Sequence, residues 1–258
     1  MAALISTYSG YIALSFLPPL IWLLFYLHED RHPEPKRLLL LTFIAGVIAA
    51  FVAVAAEVGL YGTPPVFSGL FQRLSPRLLA LPLFIFIGVS FIEEYLKYSA
   101  VKIAVLKRPE FDEPIDAMIY MVTAALGFAA IENVLFLLPA FEKGLFGGFE
   151  LTANRFLGAN LLHALSSAIV GYALARHMFS PWRKHAIAAG IIAASALHTL
   201  FNYLILMKDA VPESLVLLVL LLTLMAVVVL VDFERLKRAK RAAANTLPDS
   251  TSPNQIVR

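Results

Sequence analysis

Long apolar runs, separated by short polar segments, divide this chain along most of its length. Seven of them are present, at residues 8–27, 38–60, 79–101, 116–138, 157–176, 185–206 and 211–231. Each run is close to the roughly 20 residues that an α-helix needs to cross a lipid bilayer. The pattern predicts an all-α, polytopic membrane helix bundle with about seven transmembrane helices.

Composition supports a membrane protein and excludes several kinds of chemistry. Apolar residues make up 60% of the chain and charged residues 15%, against about 25% charged in soluble domains, and the mean hydropathy is +0.78. The net charge is only +3, and Lys and Arg cluster at the ends of the apolar runs, which favours membrane lipids over nucleic acid as partners. Because the chain has no Cys, disulfides and thiol catalysis are excluded.

The distribution of Lys and Arg between loops predicts the orientation of the bundle. Residues 28–37, 102–115, 176–184 and the tail from 232 contain 15 of the 21 basic residues, whereas the alternate loops contain 5. Basic residues remain preferentially on the cytoplasmic side. We therefore expect the N-terminus outside and the C-terminus inside.

The chain reads as one membrane domain with a polar tail. Residues 1–232 include all seven apolar runs and are predicted to form the functional transmembrane domain. Residues 233–258 begin with a basic segment, which we interpret as a juxtamembrane helix, and end in a Ser-, Thr-, Pro- and Asn-rich stretch that we expect to be disordered in the cytoplasm.

Ionisable side chains interrupt the apolar runs. Four Glu, one Lys and two His lie inside them. Such residues are unfavourable near the centre of a bilayer, by roughly 2.5 to 3.5 kcal/mol for Asp, Lys or Arg, and they usually mark function. The candidates for a functional site are Glu93, Glu94, Lys97, Glu132, His163 and His198.

The third apolar run contains two adjacent glutamates and a lysine. Glu93 and Lys97 are four residues apart and share a helical face, whereas Glu94 is rotated by about 100° and is expected to point elsewhere. Lys97 can keep one glutamate ionised while the other acts as a general base on water. A Glu–Lys pair that only fastens two helices is the alternative interpretation.

Polar positions on the later runs recur at helical spacing. Glu132 precedes Asn133, Asn160 and His163 are three residues apart, and His198 and Asn202 are four apart. Each of these side chains alone is also typical of a hydrogen bond between helices. Counted along the helices, both His and Glu132 fall in the outer third, and Glu93 and Glu94 lie a few residues deeper, a difference within helix tilt. A shared site is plausible on this count.

Two mechanisms fit this set of residues. Two imidazoles and a carboxylate are a ligand set that zinc uses for hydrolysis, which makes His163, His198 and Glu132 candidate ligands and Glu93 or Glu94 the base. Without a metal, a glutamate activates water directly while His and Asn202 stabilise the oxyanion. The sequence leaves both open.

One further match to a zinc motif is disfavoured. Residues His28, Glu29 and His32 follow the H-E-x-x-H pattern of zinc metalloproteases, which works only on a helix. Pro33 follows directly, and the residue before a proline is displaced from helical geometry. We do not expect a zincin site here.

Taken together, these motifs resemble the PrsW family of intramembrane proteases. The resemblance rests on the run from Tyr26 to Pro35, followed by Glu93-Glu94-x-x-Lys97, Glu132-Asn133, His163 and His198-x-x-x-Asn202, and it spans residues 20–205. It implies peptide-bond hydrolysis within a bacterial or archaeal plasma membrane, with a distant relation to CAAX prenyl endopeptidases. It also implies single-span substrates such as anti-sigma factors.

Two other functions remain as alternatives. A proton-coupled transporter also uses Glu and Lys within a bundle, although the inverted repeat common in transporters is not visible. A non-catalytic scaffold or immunity protein would use the same polar side chains only to lock helices together. Our prediction is an intramembrane endopeptidase, with a zinc-assisted mechanism favoured over a metal-free glutamic one.

Overall fold

The computed structural model describes residues 2–29, 33–61 and 80–246. Within these ranges the chain is helical with short connections and contains no strand. The helices of the described residues are α1 (Ala2–Leu27), α2 (Lys36–Tyr61), α3 (Ala80–Ala104), α4 (Pro114–Lys143), α5 (Leu145–Leu157), α6 (Ala159–Arg176), α7 (Arg183–Met207) and α8 (Glu213–Thr246).

The predicted membrane bundle is confirmed. Six stretches of the described residues are long and apolar enough to cross a membrane, and they correspond to six of the seven predicted runs. The remaining run is α3, which is 25 residues long but contains Glu93, Glu94 and Lys97 in its second half. We treat α3 as the seventh membrane helix, because it is long enough to span and packs between α2, α4 and α7.

One helix lies where the sequence predicted a loop. Residues 139–156 were assigned to an outer connection, but α4 continues to Lys143 and α5 occupies Leu145–Leu157. Gly144, between the two helices, has φ +150°, a conformation that side-chain-bearing residues rarely adopt. The prediction of a loop was wrong because α5 has only 13 residues and mixes apolar with polar positions, unlike a spanning run.

Helix α4 lies at the centre of the bundle. It packs against α1, α2, α5 and α6, and makes smaller contacts with α3 and α8. From Ile115 to Ile131 every residue of α4 is buried, so this helix has no lipid-facing side over five turns. Residues on the last part of α4 are therefore held in a fixed position relative to α3 and α6.

Glycines allow the backbones to approach closely beside α4. A Cβ atom added to Gly46 of α2 would lie 2.0 Å from the carbonyl oxygen of Ala124, and one added to Gly127 of α4 would lie 2.1 Å from that of Phe43. Contacts of this kind are typical of helix packing in membranes, where small residues replace the hydrophobic driving force. The α2–α4 crossing thus depends on two glycines.

Helix α8 lies on the outside of the bundle and, at 34 residues, is longer than the roughly 20 residues that a membrane span needs. Its first five turns expose apolar side chains, such as Val216 and Leu220, of the kind that faces lipid. The helix continues without a break to Thr246, so the predicted juxtamembrane helix from 233 is the end of α8. Residues 247–258 of the predicted tail lie outside the described residues.

Ion pairs collect the basic segments at one end of the bundle. Lys237 of α8 pairs with Glu29 after α1, and Lys240 pairs with Glu113 before α4. These contacts place the tail and the two connections at the same end, as the alternating loops require. The assignment of this end to the cytoplasm stays a prediction.

Candidate active site

The six ionisable residues identified from the sequence lie in one cluster between α3, α4, α6 and α7. Glu94 and Lys97 are fully buried, and Glu93, His163 and His198 are no more than 5% exposed. Glu132 is the most accessible, with 18% of its side chain exposed. The sequence predicted that Glu93 and Glu94 lie a few residues deeper in the membrane than Glu132 and the two His. In the structure this difference does not keep the six residues apart.

Lys97 connects three of these side chains. Its Nζ lies 2.9 Å from Glu94 Oε1, 3.5 Å from Glu93 Oε2 and 2.7 Å from His163 Nδ1. The expectation that Glu94 points away from Lys97 was therefore wrong. Residues three apart on a helix are neighbours as well as residues four apart, and Lys97 lies between both glutamates.

Glu94 accepts hydrogen bonds from three helices. Besides Lys97, its donors are Ser166 Oγ at 3.0 Å and Ser167 Oγ at 3.2 Å on α6, and His198 Nδ1 at 3.1 Å on α7. A carboxylate with this many donors is held ionised and in place. Three of these hydrogen bonds reach Oε1 of Glu94, and Ser167 alone reaches Oε2.

The two imidazoles have defined tautomers. An ammonium only donates, so His163 Nδ1 accepts from Lys97, and we assign the proton to Nε2, which donates to Glu132 Oε2 at 2.9 Å. His198 donates through Nδ1 to Glu94, which leaves the Nε2 lone pair facing Glu93 Oε2 at 3.7 Å. A histidine that binds a metal through one ring nitrogen usually donates the N–H of its other ring nitrogen to a carboxylate or a similar acceptor.

Three residues of the cluster form a candidate metal-binding group. One ligand atom each from Glu93, His163 and His198 lie within 4.8 Å of one another, and all three residues are buried. The sequence predicted Glu132 as the carboxylate ligand and either Glu93 or Glu94 as the base. In the structure Glu93 takes part in this group, whereas Glu132 contacts His163 from the other side.

A fourth buried glutamate belongs to the same surroundings. Glu57 of α2 is 5% exposed, and its carboxylate lies within electrostatic range of Glu93, Glu132 and Lys97. The sequence analysis gave Glu57 no role, although a carboxylate inside the apolar run 38–60 was the signal that identified the others. Glu57 is the single ionisable residue of its apolar run, whereas the run that forms α3 contains several.

Arg155 of α5 is a second residue that the sequence analysis missed. Its Nη2 lies 3.0 Å from Glu132 Oε2, and the residue is only 7% exposed. The sequence places Arg155 in a predicted outer loop, between the runs 116–138 and 157–176, and so predicts no contact with the cluster. Arg155 reaches the cluster because it lies on helix α5, which the sequence did not predict.

Two predicted features do not reach the cluster. Asn202 is half-buried on α7, one turn beyond His198, and it makes no hydrogen bond to the cluster among the described residues. The H-E-x-x-H match is also separate, because α1 ends at Leu27 and Glu29 pairs with Lys237. His32 of that match lies outside the described residues.

Comparison with known proteins identifies relatives over most of the chain. The family described as PrsW family intramembrane metalloprotease matches residues 34–231. The chain is 30% identical to Protease PrsW of Geobacillus kaustophilus, over 72% of this chain and 74% of that protein. It is 27% identical to Protease PrsW of Bacillus subtilis, over 70% and 75% of the two chains. No solved structure gives a significant match.

Proposed function

This chain belongs to the PrsW family of intramembrane metalloproteases, and we propose that it hydrolyses its substrates at the buried cluster of Glu93, Glu132, His163 and His198 with the help of a divalent metal ion. Membership of this family identifies the protein as a multi-pass intramembrane protease of the bacterial type. The observation that supports the metal-assisted mechanism is the group formed by Glu93, His163 and His198.

The donor set and the charge of the site both suit a divalent cation. One carboxylate and two imidazoles with further room for water are typical of catalytic zinc. Among the described residues of the cluster, the carboxylates of Glu57, Glu93, Glu94 and Glu132 face only two cations, Lys97 and Arg155. Burying an excess of negative charge is unfavourable unless a cation or protons neutralise it. A zinc ion would supply the two missing positive charges.

We assign Glu93, His163 and His198 as the metal ligands and Glu132 as the general base. His163 would bind the metal through Nδ1, so the ammonium of Lys97, which donates to this nitrogen in the structure, has to move aside when the metal binds. When bound, the metal supplies Lewis-acid polarisation of the scissile carbonyl and acidifies a nearby water. Oε2 of Glu132 accepts from His163 and Arg155, and Oε1 receives no hydrogen bond from the described residues. This oxygen is free to take a proton from the attacking water.

The chain's residues complete hydrolysis by proton transfer. As water attacks the carbonyl carbon, Glu132 takes one of its protons and passes it to the amide nitrogen, and the C–N bond breaks to give a carboxylic acid and an amine. The acid then gives up the second proton of the water, so the products leave as a carboxylate and an ammonium group. Glu94 holds His198 and Lys97 in place throughout. This assignment differs from the sequence prediction, in which Glu132 was a ligand and Glu93 or Glu94 was the base.

The substrate is proposed to be a membrane-spanning segment. The cluster lies among helices that are long and apolar enough to cross the bilayer, so the peptide has to enter from the membrane. We propose a single-span protein resembling an anti-sigma factor, cut near the outer face, as the resemblance in the sequence implies.

Cleavage by the purified protein tests this function. Wild type and His198→Ala are assayed in detergent against a panel of single-span membrane proteins, with exposed His185→Ala on the same helix as the matched control. We expect cleavage by wild type and His185→Ala only, abolished by a chelator and restored by zinc. Cleavage that survives both the chelator and His198→Ala would contradict the metal-assisted mechanism and favour water activation by glutamate alone.

A further inference from the structure

Arg155 occupies an unusual place for an arginine in a membrane protein. It lies in the last turn of α5, is 7% exposed, and packs its guanidinium 4.2 Å from the ring centroid of Phe136. A buried arginine is unfavourable in such surroundings unless its donors are satisfied. Its partners therefore indicate why it is there.

The guanidinium binds two adjacent residues of α4. Nε donates to Asn133 Oδ1 at 2.5 Å, and Nη2 donates to Glu132 Oε2 at 3.0 Å. The planar guanidinium thus holds a carboxylate and an amide oxygen at the same time. A lysine offers one point charge and does not reproduce this two-point contact.

The contact is closed into a ring of hydrogen bonds. Asn133 Nδ2 donates to Asn160 Oδ1 on α6 at 3.1 Å, and Asn160 Nδ2 donates back to the carbonyl oxygen of Arg155 at 2.8 Å. Asn133 also donates to the carbonyl oxygen of Ser15 on α1 at 3.0 Å. Both asparagines are fully buried. The ring fixes α4, α5 and α6 relative to one another beside Glu132.

The same oxygen of Glu132 connects this ring to His163. Oε2 accepts from both Arg155 Nη2 and His163 Nε2, so the guanidinium fixes the oxygen that orients the imidazole. The second oxygen of Glu132, Oε1, accepts no hydrogen bond from the described residues. Partners behind a ligating histidine typically change metal affinity or activity by about 10- to 100-fold when they are removed.

We propose that Arg155 is a positioning residue of the catalytic centre: by holding Glu132, it sets the orientation of His163 and leaves one oxygen of Glu132 for proton transfer. The proposal rests on the proposed function, since it assigns Arg155 to the same site. A purely structural role, in which Arg155 only fastens α5 to the bundle, makes different predictions.

The test compares Arg155→Ala, Arg155→Lys and Thr152→Ala. Thr152 lies on the same helix, and within the described part of the chain its side chain hydrogen-bonds only the Gly148 carbonyl, so its variant controls for changes to α5 alone. Zinc affinity, kcat, KM and thermal unfolding are measured for each, with and without guanidinium ion. We expect Arg155→Ala to lose about 100-fold in kcat and about tenfold in zinc affinity, with KM within about threefold.

Added guanidinium ion and a second substitution distinguish a positioning role of Arg155 from a purely structural one. Added guanidinium is expected to restore about tenfold of the lost kcat and zinc affinity in Arg155→Ala, and Arg155→Lys is expected to keep little activity. In the Glu132→Gln background, Arg155→Ala is expected to change kcat no further, because the two residues act through one contact.

The outcomes that overturn the proposal are distinct from failure of the proposed function. If Arg155→Ala lowers thermal stability, binds zinc like wild type and is not rescued by guanidinium, Arg155 only fastens α5. If wild type binds zinc but cleaves nothing, the proposed function fails, while the effect of Arg155→Ala on zinc affinity still decides the role of Arg155. Wild type that binds no zinc overturns both, and the cleavage assay then shows which mechanism remains.

Discussion

Lys97 is the cation on which the charged cluster depends. It is fully buried, and its ammonium contacts two carboxylates and an imidazole. Removing one partner of a buried ion pair leaves uncompensated charge and is strongly destabilising, by about 3 to 5 kcal/mol. The same ammonium repels any divalent cation bound beside it, because its Nζ lies 2.7 Å from His163 Nδ1.

We therefore expect Lys97→Met to be less stable without metal but to bind zinc more tightly than wild type. Thermal unfolding in detergent checks this, since a ligand that binds only the folded state raises the melting temperature with its affinity. Zinc is expected to raise the melting temperature of Lys97→Met by more than that of wild type. Exposed Lys102→Met on the same helix is the control. An equal or smaller increase contradicts a metal beside Lys97.

Substitution of Glu57 tests the charge balance of the site without changing a proposed metal ligand. Glu57 lies within electrostatic range of Glu93 and Glu132, but it is not part of the candidate metal group. Glu57→Gln is expected to retain about one zinc per chain and to weaken zinc affinity by about tenfold, or about 1.4 kcal/mol. Competition with a chromogenic chelator measures the affinity. Complete loss of zinc would instead identify Glu57 as a ligand.

The sequence identified which residues belong to the site, but it did not identify which of them contact one another. Glu93, Glu94, Lys97, His163 and His198 were recognisable because charged and polar groups within apolar runs are unfavourable without a function. Their pairing depends on side-chain directions and on how helices tilt, which spacing alone does not determine. The proposed site therefore assigns the third ligand and the base differently from the sequence, which indicated Glu132 as a ligand and Glu93 or Glu94 as the base.

At the scale of the helices, the α2–α4 crossing positions Glu57 and Glu132 on facing helices. One of its two close points is Gly127, where an added Cβ would lie 2.1 Å from the Phe43 carbonyl oxygen, well inside contact distance. The clash involves backbone atoms and cannot be relieved by a side-chain rotation. The helices must separate to accommodate it.

Gly127→Ala is accordingly expected to destabilise the protein by about 1 to 3 kcal/mol, the usual range for overpacking a close contact. Unfolding by denaturant in detergent measures this free energy. Gly59→Ala in α2 is the matched control, because among the described residues no atom outside its own stretch of helix lies within 4 Å of the Cβ it would add. Equal stability of Gly127→Ala and wild type would show that the crossing is looser than described.

The helices also show which elements sequence patterns miss. Long, uniformly apolar runs such as 38–60 and 211–231 were recognisable because crossing a bilayer fixes their length. Helix α5 carries no such signal, since it is short, contains Gly147 and Gly148, and depends on packing against α4 and α6. Arg155 was missed together with the helix that presents it.

At the scale of the whole molecule, the orientation predicted from basic residues remains to be measured. The absence of Cys makes single-cysteine labelling direct. Asp209, between α7 and α8, and Lys107, between α3 and α4, are both exposed and belong to opposite sets of loops. We expect a membrane-impermeant maleimide to label Asp209→Cys in intact cells and Lys107→Cys only after lysis. The reverse pattern places the N-terminus inside.

The central claim is that Glu93, His163 and His198 bind a metal while Glu132 transfers the proton. Zinc content and substrate cleavage, measured side by side for Glu93→Gln and Glu132→Gln, test it most directly. Glu132→Gln is expected to keep about one zinc per chain and to lose roughly 100-fold or more in kcat, and Glu93→Gln to lose both zinc and cleavage. Zinc retained in Glu93→Gln and lost in Glu132→Gln would contradict the account and restore the roles suggested by the sequence.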